Sequence, residues 1–425
     1  QHRQIGRTTG EDGVERDATL QEIAAAYQNA EQGLATPEAV LEGALLILAD
    51  RIAHDPRTRS RFRDELRRGI LRARPRDASG AAPNNDRFKD FFDFAEPIGR
   101  IPANRMLALR RAEREGVLAL ELTLPEGRHR ELLRELHAQD LDPESPLGQF
   151  YALVFDHAAQ QLQEICGKDV RRRLKEKADR EAVRTFARNL RSQLLAPPLG
   201  AKKVLALRGS SKAVWAALLN EDGSVAHHRT LPLDSDEQKQ GATALLAEWL
   251  RNEAPAAIAL PHGRRQAATE KIVAAVREAM GETPLPMVVP VDEAAATIFA
   301  TSPTGKKALP GVEVGVRAAI SLGGRLQDPL QELARMEART LGIGQSLDDV
   351  HQGTLQRELD HVKSSCLSLI GCDLNTADAE QLALLPGVST EQAQWFVAHR
   401  EHKGGFPSRE ALREVPGLDE ASWRN

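Results

Sequence analysis

The chain has 425 residues, with 57 Lys plus Arg against 61 Asp plus Glu, a formal net charge of −4 and 41% hydrophobic residues. At roughly 150 residues per domain, that length suggests two to four domains, each able to bury a core. The charge balance excludes a global polycation, so any nucleic-acid surface must be local. Aromatics make up only 4% of residues, which points to aliphatic cores, and the abundance of Leu, Ala, Glu and Arg favours helix. Cys166, Cys366 and Cys372 form no C-x-x-C pair, which argues against a disulfide framework or zinc knuckle and for reduced thiols in a cytoplasmic protein. No uncharged run approaches the roughly 20 residues of a membrane span. The start at Gln1 carries no signal-peptide pattern, and the lack of Met leaves a fragment or processed product open.

The region up to about residue 200 reads as helical. Apolar residues recur at helical spacing over 20–48, interrupted at Gly33 and Pro37, and 51–74 reads as a strongly charged helix. A loop rich in Pro, Gly and Asn follows at 75–85. Helix resumes over 132–195, broken near Pro143 and Pro146. Within it, 168–191 holds ten Lys or Arg, including Arg171, Arg172 and Arg173, against four acids. Such a stripe suits phosphates, and equally suits a solvated face with internal ion pairs.

Pro197, Pro198 and Gly200 mark a boundary. Short apolar runs at 204–207, 213–219 and 225–231 predict three consecutive strands, the last two separated by the turn signal Asn220-Glu221-Asp222-Gly223. Helix (237–250), strand (256–260), helix (268–280), strand (286–291) and helix (from 294) alternate after them. That order predicts an RNase H-like α/β domain, with a meander extended by parallel strands. A two-metal nuclease on such a sheet needs carboxylates at the first strand, at a later strand end and on a following helix. Here the first strand ends in Arg208, while Glu293 follows the last strand and Asp328 lies beyond it, two acids without the third. The expectation is a domain without catalytic activity, metal or other cofactor. The rival, a structure-selective RuvC-like nuclease, would need Asp at position 208.

Residues 303–311 read as a loop, and 312–330 and 347–369 as helices. The last segment repeats itself: Leu385-Pro386-Gly387-Val388 recurs as Val415-Pro416-Gly417-Leu418. Each copy follows a short helix (377–384 and 409–414), with Thr376, Ser389 and Ser408 at N-cap positions and Ser389 with Gln392 as a capping box. This predicts a tandem helix-hairpin-helix module whose second copy is truncated. A Pro-Gly-apolar turn at a helix start aims backbone N–H groups where they suit phosphate, and Arg400, Lys403 and Arg409 flank the same segment. Such contacts position RNA or DNA without reading its sequence. The other use of this turn is packing, which would make the chain a protein-binding adaptor.

Two segments carry a family resemblance. FKDFFDFAEPIGRIPANRMLALRRAEREGVL (88–118) resembles the F-x-D-Y-F-D-Y-x-E-P, I-P-x-H-R and E-G-V-L signature of the bacterial Tex transcription accessory proteins. RLQDPLQELARMEARTLGIGQSLDDVHQGTLQRELDHVKSSCLSLIGCDLNTADAEQL (325–382) is similar to that family's most recognisable stretch. The resemblance implies a mainly α multidomain protein with one α/β YqgF/RNase H-like domain and a C-terminal tandem helix-hairpin-helix module. It implies nucleic-acid binding linked to transcription, with RNA polymerase or other transcription proteins as partners and no membrane. It also implies that part of the N-terminal helical region and the OB-fold RNA-binding domain lie outside this chain. The domains are expected at 1–200 (helical), 201–311 (YqgF-like), 312–371 (helical connector) and 372–425 (hairpins). The family's D-P-G after the first strand is Arg208-Gly209-Ser210 here, and its G-N-G-T-A-S-R-E-T-E loop has become the ten residues from Pro261 through His262 to Glu270. Both departures touch the would-be active site, making Arg208, His262, Glu293 and Asp328 degenerate positions.

Overall fold

The computed structural model describes residues 7–9, 15–17, 19–76, 85–263 and 266–414. The chain forms two compact units, residues 1–182 and 183–425.

In the first unit, β1 (Arg7–Thr9) and β2 (Glu15–Asp17) pair antiparallel. Helices α1 (Leu20–Ala25), α2 (Pro37–His54) and α3 (Pro56–Leu66) follow. Pro56 stands at the first position of α3, and Asp55 both ends α2 and caps α3 by accepting the Thr58 N–H. The charged helix expected over 51–74 is therefore two helices and a strand, β3 (Ile70–Pro75). Its sequence alternates, burying Leu71 and Ala73 and exposing Arg72 and Arg74, which is the period of a strand with one solvated face. With β4 (Ala95–Pro97), α4 (Ala103–Arg114) and β5 (Leu118–Thr123) in place, an antiparallel sheet forms in the order β4-β3-β5. β5 alternates in the same way, with Leu118, Leu120 and Leu122 inside. α5 (Arg128–His137) buries Leu132 and Leu133 and meets α3, where Arg128 grips Glu65 at 2.9 Å. α6 (Pro146–Leu194) contributes residues to both units.

The second unit opens on the predicted meander, β6 (Val204–Gly209), β7 (Ala213–Leu219) and β8 (Val225–Pro232). After α7 (Asp236–Glu253), β9 (Ala257–His262), α8 (Gln266–Met280) and β10 (Met287–Asp292), the sheet order is β10-β9-β6-β7-β8. β9 runs parallel to both β6 and β10. Every residue of β6 is buried, because both faces of the sheet are covered. Leu205 and Leu207 face a core with Leu246, Leu250, Ile272 and Val276 of α7 and α8. Val204 and Ala206 face the other side, where α9 (Ala296–Thr301) and α11 (Val314–Gln327) pack with Ala300, Ala318 and Leu322. The α/β layer thus runs past residue 311, the expected boundary. Between these helices lies α10 (Pro303–Ala308), where a loop was expected; Ser302 caps it by accepting the Gly305 N–H. α12 (Pro329–Ala334), α13 (Gln352–Ile370), α14 (Ala379–Leu382) and α15 (Thr390–Lys403) complete the unit, before a 3-10 turn over Arg409–Glu414.

Candidate nucleic-acid interface

The hairpin between α14 and α15 is built from its turn outward. Leu385 accepts the Val388 N–H at 3.1 Å, closing a four-residue turn with Pro386 and Gly387 at its centre. Gly387 has φ +85°, so the turn needs proline for its first central residue and glycine for its second. Pro386 and Gly387 are exposed, and Val388 is half-buried against the hairpin core of Leu382, Ala393, Phe396 and Phe406. Val388 spends its N–H on the turn, so of the three turn residues Gly387 has the backbone N–H that suits an anion. Ser389 then caps α15 and forms a capping box with Gln392. Thr376 is not the cap of the preceding helix. That place belongs to Asp378, which makes its own capping box with Gln381, while the Thr376 hydroxyl accepts from Gln331.

Arg400 does not join the exposed turn. Its guanidinium donates to the carbonyls of Leu374 (3.0 Å) and Ala377, so it ties α15 to the segment ahead of α14. The same segment supplies Asn375, which accepts the Phe406 N–H at 2.7 Å and donates back to the Phe406 carbonyl. His399 stacks on both Trp395 and Phe406, with ring centroids at 4.5 and 4.8 Å. Lys403 ends α15 and Arg409 opens the last 3-10 turn. The second hairpin turn, Pro416, Gly417 and Leu418, lies outside the described residues.

Up to Glu181, the basic stretch of α6 is mostly satisfied within the first unit. Arg171 turns inward, donating to the Leu120 carbonyl at 3.1 Å. Arg172 and Arg173 are exposed and share Asp169 with Arg63. Lys175 pairs with Asp179, and Lys177 with Glu181. Asp169 is held below the usual carboxylate range, first by the Arg172 hydrogen bond. The run is thus largely an ion-paired face, with Arg172 and Arg173 its outward charges among the three arginines singled out from sequence.

In the α/β layer, Arg208 and Glu293 come together, and His262 and Asp328 do not join them. Arg208 is buried at the end of β6. It donates to Glu293 at 3.2 Å and to the Thr297 hydroxyl at 2.7 Å, and its guanidinium lies 5.7 Å from the Trp215 ring centroid. Arg208, Glu293 and Thr297 line a cleft of about 570 Å³ with Ser210, Ser211 and Ala268. Gly209 packs so closely on α8 that a Cβ there would lie 2.9 Å from the Thr269 hydroxyl. His262 is an exposed residue at the end of β9, opposite Asp292. Asp328 caps α12, accepting the Gln331 N–H at 2.9 Å. Glu293 is the one carboxylate lining the cleft among the described residues. Nor do any three His, Cys, Asp or Glu side chains among them gather as a ligand set.

Sequence reasoning missed one charged centre. Lys363 of α13 is buried and donates to the carbonyls of Ala334 (3.0 Å) and Met336, satisfying the end of α12. Nearby, Glu332 is buried and accepts from Ser321 and Arg335. Burial pushes the Glu332 carboxyl up and the Lys363 ammonium down. Lys363 occupies an unremarkable helical position in the sequence, so only tertiary structure reveals the pairing.

A three-stranded meander extended by parallel strands, followed by a helix-hairpin-helix, defines an RNase H-like protein with a nucleic-acid-type hairpin appended. Family models match in the same order: Tex central region-like over 15–186, Tex protein YqgF-like domain over 202–327, and a helix-hairpin-helix motif over 368–424. The chain is 33% identical to Protein tex of Bordetella pertussis over 94% of its own length and 52% of that relative. It is 31% identical to Transcriptional accessory protein Tex of Neisseria gonorrhoeae, over 96% and 54%. It is also 27% identical to human S1 RNA-binding domain-containing protein 1, over 92% and 41%. The chain belongs to the Tex family, and it spans about half the length of these two bacterial relatives.

Proposed function

We propose that the chain is a non-catalytic nucleic-acid-binding scaffold that serves transcription in the cytoplasm. In this reading it holds RNA or DNA by the phosphates, without sequence preference, and RNA polymerase or another transcription protein is its protein partner. The observation that carries the reading is the exposed Pro386-Gly387 turn leading into a capped 14-residue helix. There, a backbone N–H and the helix dipole favour the same anion. The names of two relatives support it, one a transcriptional accessory protein and the other named for an S1 RNA-binding domain. The absence of catalysis rests on Arg208, whose guanidinium pairs with the carboxylate that a metal would need.

The test is binding to single-stranded RNA, single-stranded DNA and duplex DNA at two salt concentrations, with Gly387→Glu and Gly387→Ala compared. Both substitutions strain the left-handed backbone by about 1–2 kcal/mol, but only Glu adds a negative charge where phosphate approaches. Glu is expected to weaken binding well beyond Ala. Equal effects would make the hairpin a packing element and the chain a protein-binding adaptor. Incubation of RNA, DNA and branched junctions with magnesium or manganese is expected to give no cleavage. Metal-dependent cleavage abolished by Glu293→Gln would establish the nuclease reading instead.

A further inference from the structure

The strand concealed in the charged stretch gives the first unit a basic face of its own. β3 is the central strand of its sheet, and its outward residues are Arg72 and Arg74, with Arg76 continuing the alternation one residue past the strand. All three side chains are exposed, and none forms an ion pair with another described residue. Alternate residues of a strand project from one face about 6.6 Å apart. That interval is close to the step between neighbouring phosphates of an extended polynucleotide strand. The flanking strands leave this row open. Arg72 stands between Ala95 of β4 and Glu121 of β5, and Arg74 stands beside Ala119. Ala95, Ala119 and Glu121 are themselves exposed, so two of the three neighbours are too small to cover the row. Glu121 is the single acid in those paired positions. On a helix, residues two apart point to different sides, so it is the strand that gathers these charges into a line.

We propose that this open sheet face is a second nucleic-acid contact, taking successive phosphates of a single strand on Arg72, Arg74 and Arg76. A row of three charges along one β-strand runs alongside a single extended polynucleotide strand, whereas a duplex backbone winds away from it. Guanidinium groups suit the partner because each presents a planar fork of donors to a phosphate. The site rests on residues separate from the hairpin turn, so the two readings can fail independently.

The test uses the full chain with labelled oligo-dT, oligo-U, duplex DNA and polyglutamate, followed by fluorescence anisotropy at several salt concentrations. The variants are Arg72→Gln/Arg74→Gln/Arg76→Gln, Glu121→Gln and Gly387→Glu, with circular dichroism as the check on folding. The triple variant is expected to bind roughly tenfold or more weakly. Its log–log salt slope should flatten by about 2, since each single-strand phosphate contact contributes about 0.7. Glu121→Gln removes the acid paired with Arg72 and is expected to tighten binding, a gain that general damage to the sheet would not produce. If the triple variant and Glu121→Gln keep wild-type affinity and slope while Gly387→Glu loses binding, the hairpin stands and the sheet site falls. Loss confined to duplex DNA would overturn the single-strand assignment. If labelled polyglutamate binds through the same three arginines as tightly as the oligonucleotides, the face is protein-directed and the proposal fails.

Discussion

Arg208 is held by a carboxylate, a hydroxyl and an aromatic ring at once, and removing the carboxylate alone leaves a buried cation short of its counter-charge. Glu293→Gln is therefore expected to destabilise the second unit by about 3 kcal/mol, measured as a shift in the urea midpoint. A change below about 0.5 kcal/mol would show that solvent screens the pair. In the first unit, the Arg128 hydrogen bond holds the Glu65 carboxyl below its ordinary value. A depressed folded value means that the ionised form stabilises the fold. This contribution is present above the unfolded carboxylate range and is lost as pH falls through the folded value. Glu65→Gln should accordingly lower stability at neutral pH and flatten the acid limb of a stability–pH curve; an unchanged acid limb would assign the acid sensitivity elsewhere. Burial also pushes the Cys372 thiol up to about 11. At pH 8 its alkylation by iodoacetamide, followed by mass spectrometry, should be far slower in the native chain than in the unfolded one.

The same physics acts on whole elements at the hairpin and in the signature segment. Ser389→Ala removes the oxygen that accepts the Gln392 N–H and should lower stability by about 1 kcal/mol. Phe88 is buried, whereas Phe91 and Phe94 are half-buried and meet edge to face at 6.1 Å. Phe88→Ala is expected to cost roughly 3–5 kcal/mol; a loss below about 1 kcal/mol would mark the segment as surface. Phe88, Phe91, Phe92 and Phe94 lie too close in sequence for one helix face, and the structure places them in a 3-10 turn and the loop after it. Elements with a strong local signal were legible in the sequence. The meander announced itself through three apolar runs and the Asn220–Gly223 turn, and the Ser389–Gln392 capping box through its spacing. β3 was not legible as a strand because charge masked its alternation: arginines at every second position over a short span look like a charged helix if density is weighed before period. Thr376 and Asp378 are both good capping residues two positions apart. Only the fold decides between them, by engaging the Thr376 hydroxyl with Gln331.

Across the whole molecule, the order of segments was readable from the sequence and the partnership of side chains was not. The α/β layer extends to α11 because a helix buried almost all round, from Gly315 to Gly323, belongs to the sheet it covers, wherever a loop suggests a cut. Arg400 and Arg171 show the same limit. Each is a cation beside a plausible phosphate site, and each donates instead to backbone carbonyls of its own unit. Side-chain direction is fixed by tertiary contacts, so charge counts along a helix overstate the surface available to nucleic acid.

The Arg208–Glu293 pair also works as a ratchet. With arginine in place, Glu293 acts as a counter-ion, and any change that discards it leaves a buried cation without its carboxylate. Arg208→Asp would remove the cation and place a second carboxylate in the cleft that Glu293 lines, with no third acid there among the described residues. Two carboxylates sharing one cleft raise each other's proton affinity and oppose folding, so the substitution is uphill unless a cation joins them.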